Sequence, residues 1–142
     1  MHPPVKLGNL QAVPARPTLE LAVAQLAEQG IVLPAGRVFL DEFGDSPELS
    51  RSLLALIRSG RKRAGTSLLW DHEVTGDPVP QVGDIGVVLD DSMTPSLVTI
   101  NTKVEVIRFD EVSAEYAAIE GEGDGSLAYW KKGHWDFFSR QC

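Results

Sequence analysis

The chain has 142 residues, which is enough for one ordinary domain. Hydrophobic residues make up 43% of it, so a wholly disordered chain is excluded. The single cysteine, Cys142, excludes an internal disulfide framework and a cysteine-rich zinc site. The sequence predicts neither a membrane span nor a signal peptide, so we expect a cytoplasmic protein with no membrane partner.

The charge is acidic overall, with 13 basic residues, 20 acidic residues and a formal net charge of −7. Such a surface repels a phosphate backbone on average. A single basic cluster interrupts it, formed by Arg58, Arg61, Lys62 and Arg63. One basic cluster on an acidic chain favours a small substrate over a long RNA.

The first half of the chain predicts a lead followed by two helices. Residues 1–17 hold four of the nine prolines and predict a flexible or extended lead. Helices are predicted over 18–30 and 46–60, because each segment has a capping hydroxyl at its start, apolar residues at helical spacing and a glycine at its end. Residues 31–40 between them are predicted to be extended.

The second half of the chain changes to a strand pattern. Strands are predicted over 66–70, 85–89 and 97–109, the last as one bent strand or two. A short helix is predicted over 113–119 and a final helix after Ser126. Helices at both ends of a run of antiparallel-looking strands predict a small α+β barrel rather than a βαβ sheet.

Five blocks between about Asp41 and Arg140 resemble the ASCH domain family, in the order that the family has. They are FGDSPEL at 43–49, SGRK at 59–62, SLLW at 67–70, VGD at 82–84 and EGEGDGSLAYW at 120–130, closing with HW at 134–135. The resemblance implies a PUA-like β-barrel with a cleft between the barrel and its helices. We therefore expect an α+β fold in which residues 18–142 form a single ASCH-like domain after the lead at 1–17.

Members of this family are linked to RNA, and some bacterial members remove acyl groups from N4-acylated cytidine nucleosides. The resemblance therefore implies a small amidohydrolase acting on an N4-acylated cytidine or a similar modified nucleoside. A ribonuclease and a non-catalytic RNA-binding module using the same cleft are the alternatives. No cofactor is expected. No metal site is expected either, because His72 and His134 lack a ligand spacing.

The amidohydrolase members carry a Gly-x-Lys-x-x-Thr motif and, further along, a glutamate. Gly60 and Lys62 match the motif, and Glu120 matches the glutamate. A lysine near a barrel wall loses hydration, so its pKa falls and it can act as a base; if it stays charged, it can stabilise an oxyanion. A glutamate facing it would carry protons. As an exposed cleft residue, Lys62 should be replaceable by alanine with little change in the thermal midpoint.

The threonine of the motif has no counterpart here, because Gly65 occupies its position. The nearest hydroxyls belong to Thr66 and Ser67. In a strand, Thr66 points to the other face unless a bulge shifts the register, whereas Ser67 regains the face of residue 65 further along. Both hydroxyls are candidate catalytic groups.

Five further residues are candidates for substrate binding. Arg61 and Arg63 would hold phosphates in the ribonuclease alternative. Trp70 and Tyr129 would stack on a nucleobase. Ser126 caps the last helix and, by the resemblance, also lies near the cleft.

The C-terminus is shorter than in family members of this longer type, which usually continue into one more strand. An unpaired barrel edge is unfavourable, so we expect the lead or a second subunit to cover it. The second case would be a homodimer. Deleting residues 1–17 would then lower the stability or change the oligomeric state.

Overall fold

The computed structural model describes residues 15–141, which form an α+β fold. Within them the elements follow the order α1 (Leu19–Glu28), β1 (Val38–Glu42), α2 (Pro47–Arg58), α3 (Leu69–Thr75), β2 (Ile85–Leu89), β3 (Pro95–Ile100), α4 (Ala114–Glu120) and α5 (Leu127–Gln141). A short 3-10 turn at Phe109–Glu111 precedes α4. Among the helices of residues 15–141, none combines the length and the apolar character that a membrane span requires.

The three strands form an open sheet in the order β1-β2-β3. β2 and β3 are antiparallel, but β1 and β2 are parallel, with Val38 opposite Ile85. The antiparallel expectation is confirmed for β2 and β3, whereas β1, which lies partly in the segment predicted only as extended, pairs in parallel with β2. A parallel pair needs a long crossover, and the segment that carries α2 and α3 provides it. A closed barrel, which the resemblance implies, is not shown by residues 15–141.

Two predicted strands differ from the structure. The strand predicted over 66–70 is wrong, because α3 begins at Leu69 and the residues just before it form no regular element. The strand predicted over 97–109 ends at Ile100, since β3 pairs only with β2 and residues 101–108 have no partner strand among the described residues. Alternating polar and apolar residues are typical of a strand with two different faces, but a strand in a sheet also needs a neighbouring strand for its backbone hydrogen bonds.

The starts of α1, α2 and α4 agree with the sequence, because each cap is a contact between residues that are close along the chain. The hydroxyls of Thr18, Ser46 and Ser113 each accept a hydrogen bond from the backbone N–H three residues later, at 3.1–3.2 Å. Pro47 occupies the first turn of α2, as predicted. These helices were predicted correctly from local signals alone.

The core has two separate clusters. In the first, α1 packs on the sheet through Ala22, Leu26 and Val87. In the second, α4 and α5 pack together around Val112, Ala117 and Trp130. The second cluster holds Glu120 at the end of α4, so it positions the candidate site. Burial of these apolar surfaces is the main force holding the helices in place.

The predicted lead lies outside the described residues up to residue 14. Arg16, near its end, contacts the first strand: its guanidinium donates to the carbonyl of Leu40 at 3.4 Å and lies 3.5 Å from the carboxylate of Glu42. The contact places residue 16 beside β1, which is one edge of the sheet. Whether the rest of the lead covers an edge stays a prediction, tested by deleting residues 1–17.

The turn after α4 gives a first stability prediction. Gly121 has a φ of +67°, and a Cβ there would overlap the backbone carbonyl of Arg61. We expect Gly121→Ala to lower the free energy of unfolding by at least about 2 kcal/mol, since it combines left-handed strain with a backbone clash. Gly60→Ala is the matched control: its φ is +80° with nothing within 4 Å, so only about 1 kcal/mol is expected. Urea unfolding of both variants measures the difference, and equal losses would contradict the close approach of Arg61.

Candidate active site

A buried lysine–glutamate pair lies at the junction of two helices. Gly60 ends α2 and turns the chain so that the N–H of Lys62 bonds the carbonyl of Leu56 at 3.1 Å. The Lys62 Nζ then donates to Glu120 Oε1 at 3.0 Å and to the carbonyl of Ala64 at 2.8 Å. Lys62 is 5% exposed and Glu120 only 1%. The prediction that Lys62 is an exposed cleft residue is wrong, because its side chain is buried.

The other oxygen of Glu120 accepts several hydrogen bonds. Thr66 Oγ1 donates to Oε2 at 2.9 Å, and the indole N–H of Trp130 also donates to it. His134 Nε2 lies 3.3 Å from the same oxygen. Burying a carboxylate is costly unless donors surround it, and here Lys62, Thr66 and Trp130 do so.

Thr66 therefore reaches the glutamate without a strand bulge. A bulge would be needed only if residue 66 lay in a strand, in which neighbouring side chains point to opposite faces. Residues 62–68 form no strand, so the rule does not apply to them. The side chain of Thr66 faces Glu120 even though residue 66 as a whole is exposed. The structure thus brings Lys62, Thr66 and Glu120 into one cluster.

Ser67, the other candidate hydroxyl, points to a different partner. Its Oγ lies 2.8 Å from Nε2 of His72, and Nδ1 of His72 lies 3.3 Å from the carbonyl of Asp77. Consecutive hydroxyls therefore diverge, one towards α4 and the other towards α3. The two candidate hydroxyls, Thr66 and Ser67, therefore lie in two separate environments.

Tyr116 adds a hydroxyl beside Thr66. Its O–H donates to the carbonyl of Gly65 at 2.7 Å and lies 3.0 Å from Thr66 Oγ1. Burial raises the pKa of the Tyr116 phenol, so it remains protonated at neutral pH. Tyr116 is not among the site residues predicted from the sequence. A signal existed, because Tyr116 precedes Glu120 by four residues and so shares its face of α4.

The basic binding candidates border the same region. The guanidinium of Arg61 donates to the backbone carbonyl of Gly123. The backbone N–H of Arg63 donates to the carbonyl of Ile119 at 2.9 Å, while residue 63 as a whole is exposed. These contacts tie the chain on both sides of Lys62 to the two ends of the 119–123 segment. A role in holding phosphate remains a prediction for both arginines.

The other binding candidates lie on α5 and α3. Ser126 accepts a hydrogen bond from the backbone N–H of Tyr129 at 3.1 Å, so it caps α5 as predicted. Tyr129 and Trp70 are both half-exposed, the latter on α3. An exposed aromatic face suits stacking, but contact with a ligand stays a prediction for all three residues.

A metal ion could in principle use three groups at this site. Oxygen or nitrogen atoms of Glu120, Glu122 and His134 lie within 4.8 Å of one another. The Nζ of Lys62, however, lies 3.0 Å from Glu120 and 3.6 Å from Glu122. The ammonium thus occupies the position beside both carboxylates and supplies the positive charge that they need.

Two further contacts of the site were missed by sequence reasoning. Trp130 and His134 both approach Glu120 Oε2, and their rings stack with centroids 4.2 Å apart. The available signal was their spacing of four residues on one helix, which places both side chains on one face. That spacing does not by itself say which buried group the face meets.

Fold and site together define a class of small α+β protein in which a buried Lys–Glu pair is bonded to a threonine hydroxyl. The family model of the ASCH domain matches residues 39–142. The chain belongs to the ASCH domain family. The resemblance seen in the sequence blocks is thereby confirmed.

Solved structures agree with this assignment. The ASCH domain from Lactobacillus crispatus JV V101 is 33% identical with a TM-score of 0.71, and the match covers 87% of this chain and 77% of that one. Protein EF3133 from Enterococcus faecalis V583 is 29% identical with a TM-score of 0.70, covering 87% and 76% respectively. Curated proteins give no match.

Proposed function

We propose that this protein is an amidohydrolase that removes an acyl group from an N4-acylated cytidine or a similar modified nucleoside. One observation carries the proposal: a line of hydrogen bonds runs from the Thr66 hydroxyl through the Glu120 carboxylate to the Lys62 ammonium. A hydroxyl bonded to a buried carboxylate is the arrangement of a nucleophile beside its base. Family membership supports a hydrolase or RNA-binding module of this type.

The first step follows from these contacts. Thr66 Oγ1 attacks the carbonyl carbon of the acyl group, and its proton passes to Glu120 Oε2. A carbon–oxygen bond forms and the carbonyl π electrons move to its oxygen. The Tyr116 oxygen lies 3.0 Å from Thr66 Oγ1, and its O–H donates to the carbonyl of Gly65. Rotation of this O–H towards Thr66 would donate a hydrogen bond to the threonine oxygen as that oxygen loses its proton.

The second step releases the nucleoside. The bond from the acyl carbon to N4 breaks, and N4 takes the proton from Glu120, so cytidine leaves with a free amino group. Water then attacks the threonine ester, giving its proton through Glu120 to Thr66 and releasing a carboxylic acid. Each proton that Glu120 accepts is returned, so the carboxylate is regenerated.

Lys62 acts behind the reacting atoms. It is 5% exposed and bonded to Glu120 Oε1, on the side of the carboxylate opposite Thr66. Its positive charge balances the negative charge of the buried carboxylate, and its hydrogen bond orients that carboxylate. Trp130 and His134 support the same orientation from α5.

Incubation with N4-acetylcytidine tests the proposal. We expect cytidine and acetate to appear in equal amounts, and chromatography of the reaction mixture measures both products. Ser67→Ala provides a matched control, because Ser67 is the neighbouring hydroxyl but bonds His72 instead of Glu120. Absence of turnover by the wild-type protein would contradict the proposal.

The alternative is a ribonuclease or an RNA-binding module, favoured by the exposed Arg63, which follows Lys62 in the chain, and by the exposed ring of Trp70 on α3. Salt dependence separates the two functions.

With one basic cluster on a chain of net charge −7, RNA would make about two or three phosphate contacts. The logarithm of its affinity would then fall only slowly with the logarithm of the salt concentration. A nucleoside has no phosphate, so we expect deacylation to change little between about 50 and 200 mM salt. Tight RNA binding with a steep slope and no turnover would favour the nucleic-acid binder.

A further inference from the structure

A serine and a histidine lie together at the start of α3, outside the Glu120 cluster. Ser67 precedes α3 by two residues, and its Oγ lies 2.8 Å from Nε2 of His72, which α3 carries. Ser67 is exposed, whereas His72 is half-buried. A serine hydroxyl within hydrogen-bond distance of an imidazole is the pairing that activates a serine nucleophile.

The backbone after α3 fixes the tautomer of the His72 ring. Gly76 ends α3 with a φ of +78°, and the chain turns so that the carbonyl of Asp77 lies 3.3 Å from Nδ1 of His72. A carbonyl oxygen only accepts hydrogen bonds, so Nδ1 carries the hydrogen of the neutral ring. Nε2 is then unprotonated and faces the Ser67 hydroxyl as an acceptor. A general base requires this tautomer.

The turn that carries the Asp77 carbonyl is itself tied to α3. The hydroxyl of Thr75 donates to the carbonyl of Asp71 at 3.0 Å and accepts from the backbone N–H of Asp77 at 3.2 Å. The carbonyl beside His72 therefore has a defined position. Ser67, His72 and this carbonyl correspond to nucleophile, base and orienting group, with a backbone oxygen in the role that a carboxylate has in a catalytic triad.

His72 also lines a cavity of about 310 Å³ between the sheet and the segment that carries α3. Phe39 and Pro78 give this cavity apolar surface. Gly86 lines it as well and leaves space beside Asp41, since a Cβ at residue 86 would overlap that carboxylate. The volume is at the lower end of the range for small-molecule sites, so the base opens onto room for a small group.

The charges around the cavity favour an uncharged occupant. Arg16 and Asp41 both line it; burial raises the pKa of Asp41, and the charge of Arg16 opposes that increase. The carboxylate of Asp84 accepts two hydrogen bonds from Arg37, at 2.8 and 2.7 Å. An anionic group would meet Asp77 and a cationic group would meet Arg16, so a small uncharged group fits best.

We propose that Ser67 and His72 form a second catalytic pair, which transfers a small uncharged acyl group from an activated ester to Ser67 and then to water. The Ser67 hydroxyl is exposed, so water solvates the charge that develops on the acyl oxygen, and the ester needs a weakly basic leaving group. The inference goes beyond the proposed function, because it uses neither Thr66 nor Glu120 and takes an ester instead of an N-acyl group.

The reaction has two steps. In the first, Ser67 Oγ forms a bond to the acyl carbon, its proton passes to His72 Nε2, and the carbonyl π electrons move to the acyl oxygen. When that electron pair returns, the bond from the acyl carbon to the leaving group breaks, and the leaving group takes the proton from Nε2. In the second step, water attacks the Ser67 ester, gives a proton through Nε2 to Ser67 Oγ and releases a carboxylic acid.

Labelling with phenylmethanesulfonyl fluoride, located by mass spectrometry of peptides, tests the pair without requiring turnover. We expect Ser67 to react at least about a hundredfold faster than Ser52, an exposed serine on α2, since a general base contributes a factor of that order. His72→Gln should slow the labelling of Ser67 by a similar factor, and Ser52→Ala is the control that leaves it unchanged. Equal rates at Ser67 and Ser52, or equal rates at Ser67 in His72→Gln and wild type, would each overturn the inference.

Hydrolysis of p-nitrophenyl acetate tests the complete reaction. The measurement is made with Thr66→Val present in every sample, so that the other proposed nucleophile is absent. We expect Ser67→Ala to lower the rate by at least about tenfold, because the activated hydroxyl is lost. This variant removes only an exposed hydroxyl, so it keeps the test decisive even if His72→Gln lowers the thermal midpoint. An unchanged rate in Ser67→Ala would overturn the pair, whereas absence of N4-acetylcytidine turnover in wild type would overturn only the proposed function.

Discussion

Replacing Lys62 with alanine is expected to lower the free energy of unfolding by about 3–5 kcal/mol, because it leaves a buried carboxylate without its counter-ion. Glu120 is 1% exposed and its Oε1 accepts the Lys62 hydrogen bond at 3.0 Å. Glu122, 3.6 Å from the same ammonium, would then face Glu120 without a cation between them. Urea unfolding at pH 7 measures the loss.

Two further variants make this prediction specific. Lys132→Ala removes an exposed lysine that lies 3.2 Å from Asp136, so we expect a loss of no more than about 1 kcal/mol. Lys62→Met combined with Glu120→Gln removes both buried charges, and we expect it to be more stable than Lys62→Met alone. If Lys62→Ala proved as stable as Lys132→Ala, the lysine would be solvated and the buried pair would not exist in solution.

Replacing Thr66 with valine is expected to reduce deacylation of N4-acetylcytidine by at least about a thousandfold, since valine keeps the shape but removes the attacking oxygen. The fold should tolerate this change, because Glu120 Oε2 retains the indole N–H of Trp130 as a donor and Oε1 retains Lys62. We expect a loss of stability of about 1 kcal/mol, the value of one hydrogen bond. Single-turnover kinetics and thermal unfolding measure the two effects.

Thr66→Ser and Ser67→Ala complete the test of the nucleophile. Serine at residue 66 retains a hydroxyl within reach of Glu120, so activity should persist. Alanine at residue 67 removes only the bond to His72, so it should leave most of the activity. Full activity in Thr66→Val would instead indicate that water attacks the substrate directly, with Glu120 as its base.

Much of the secondary structure could be predicted from the sequence because its signals are local. Capping hydroxyls at Thr18, Ser46 and Ser113 bond backbone groups three residues away, and the glycines at 30 and 60 end helices by adopting positive φ. The ordered blocks also identified the family, together with Lys62 and Glu120 as the residues matching its motif. None of this required knowledge of which elements pack together.

Tertiary structure decided the arrangement of the site. Lys62 and Glu120 are 58 residues apart in sequence, and their burial follows from the packing of α4 and α5, which no local pattern records. Residues 62–68 form no strand, and the Thr66 side chain hydrogen-bonds Glu120. The alternation of side chains along a strand had predicted that Thr66 would point to the opposite face. It also brought Trp130 and His134 to the carboxylate.

By itself the sequence determined the starts of α1, α2 and α4, the acidic net charge and the family, because composition, capping and motif order are properties of the chain. Only the tertiary structure decided that Lys62 is buried, that β1 runs parallel to β2, and that Gly86 opens a space beside Asp41. Desolvation, strand pairing and cavity shape depend on what distant segments contribute to one place. Physical contacts of that kind arise only when the chain has folded.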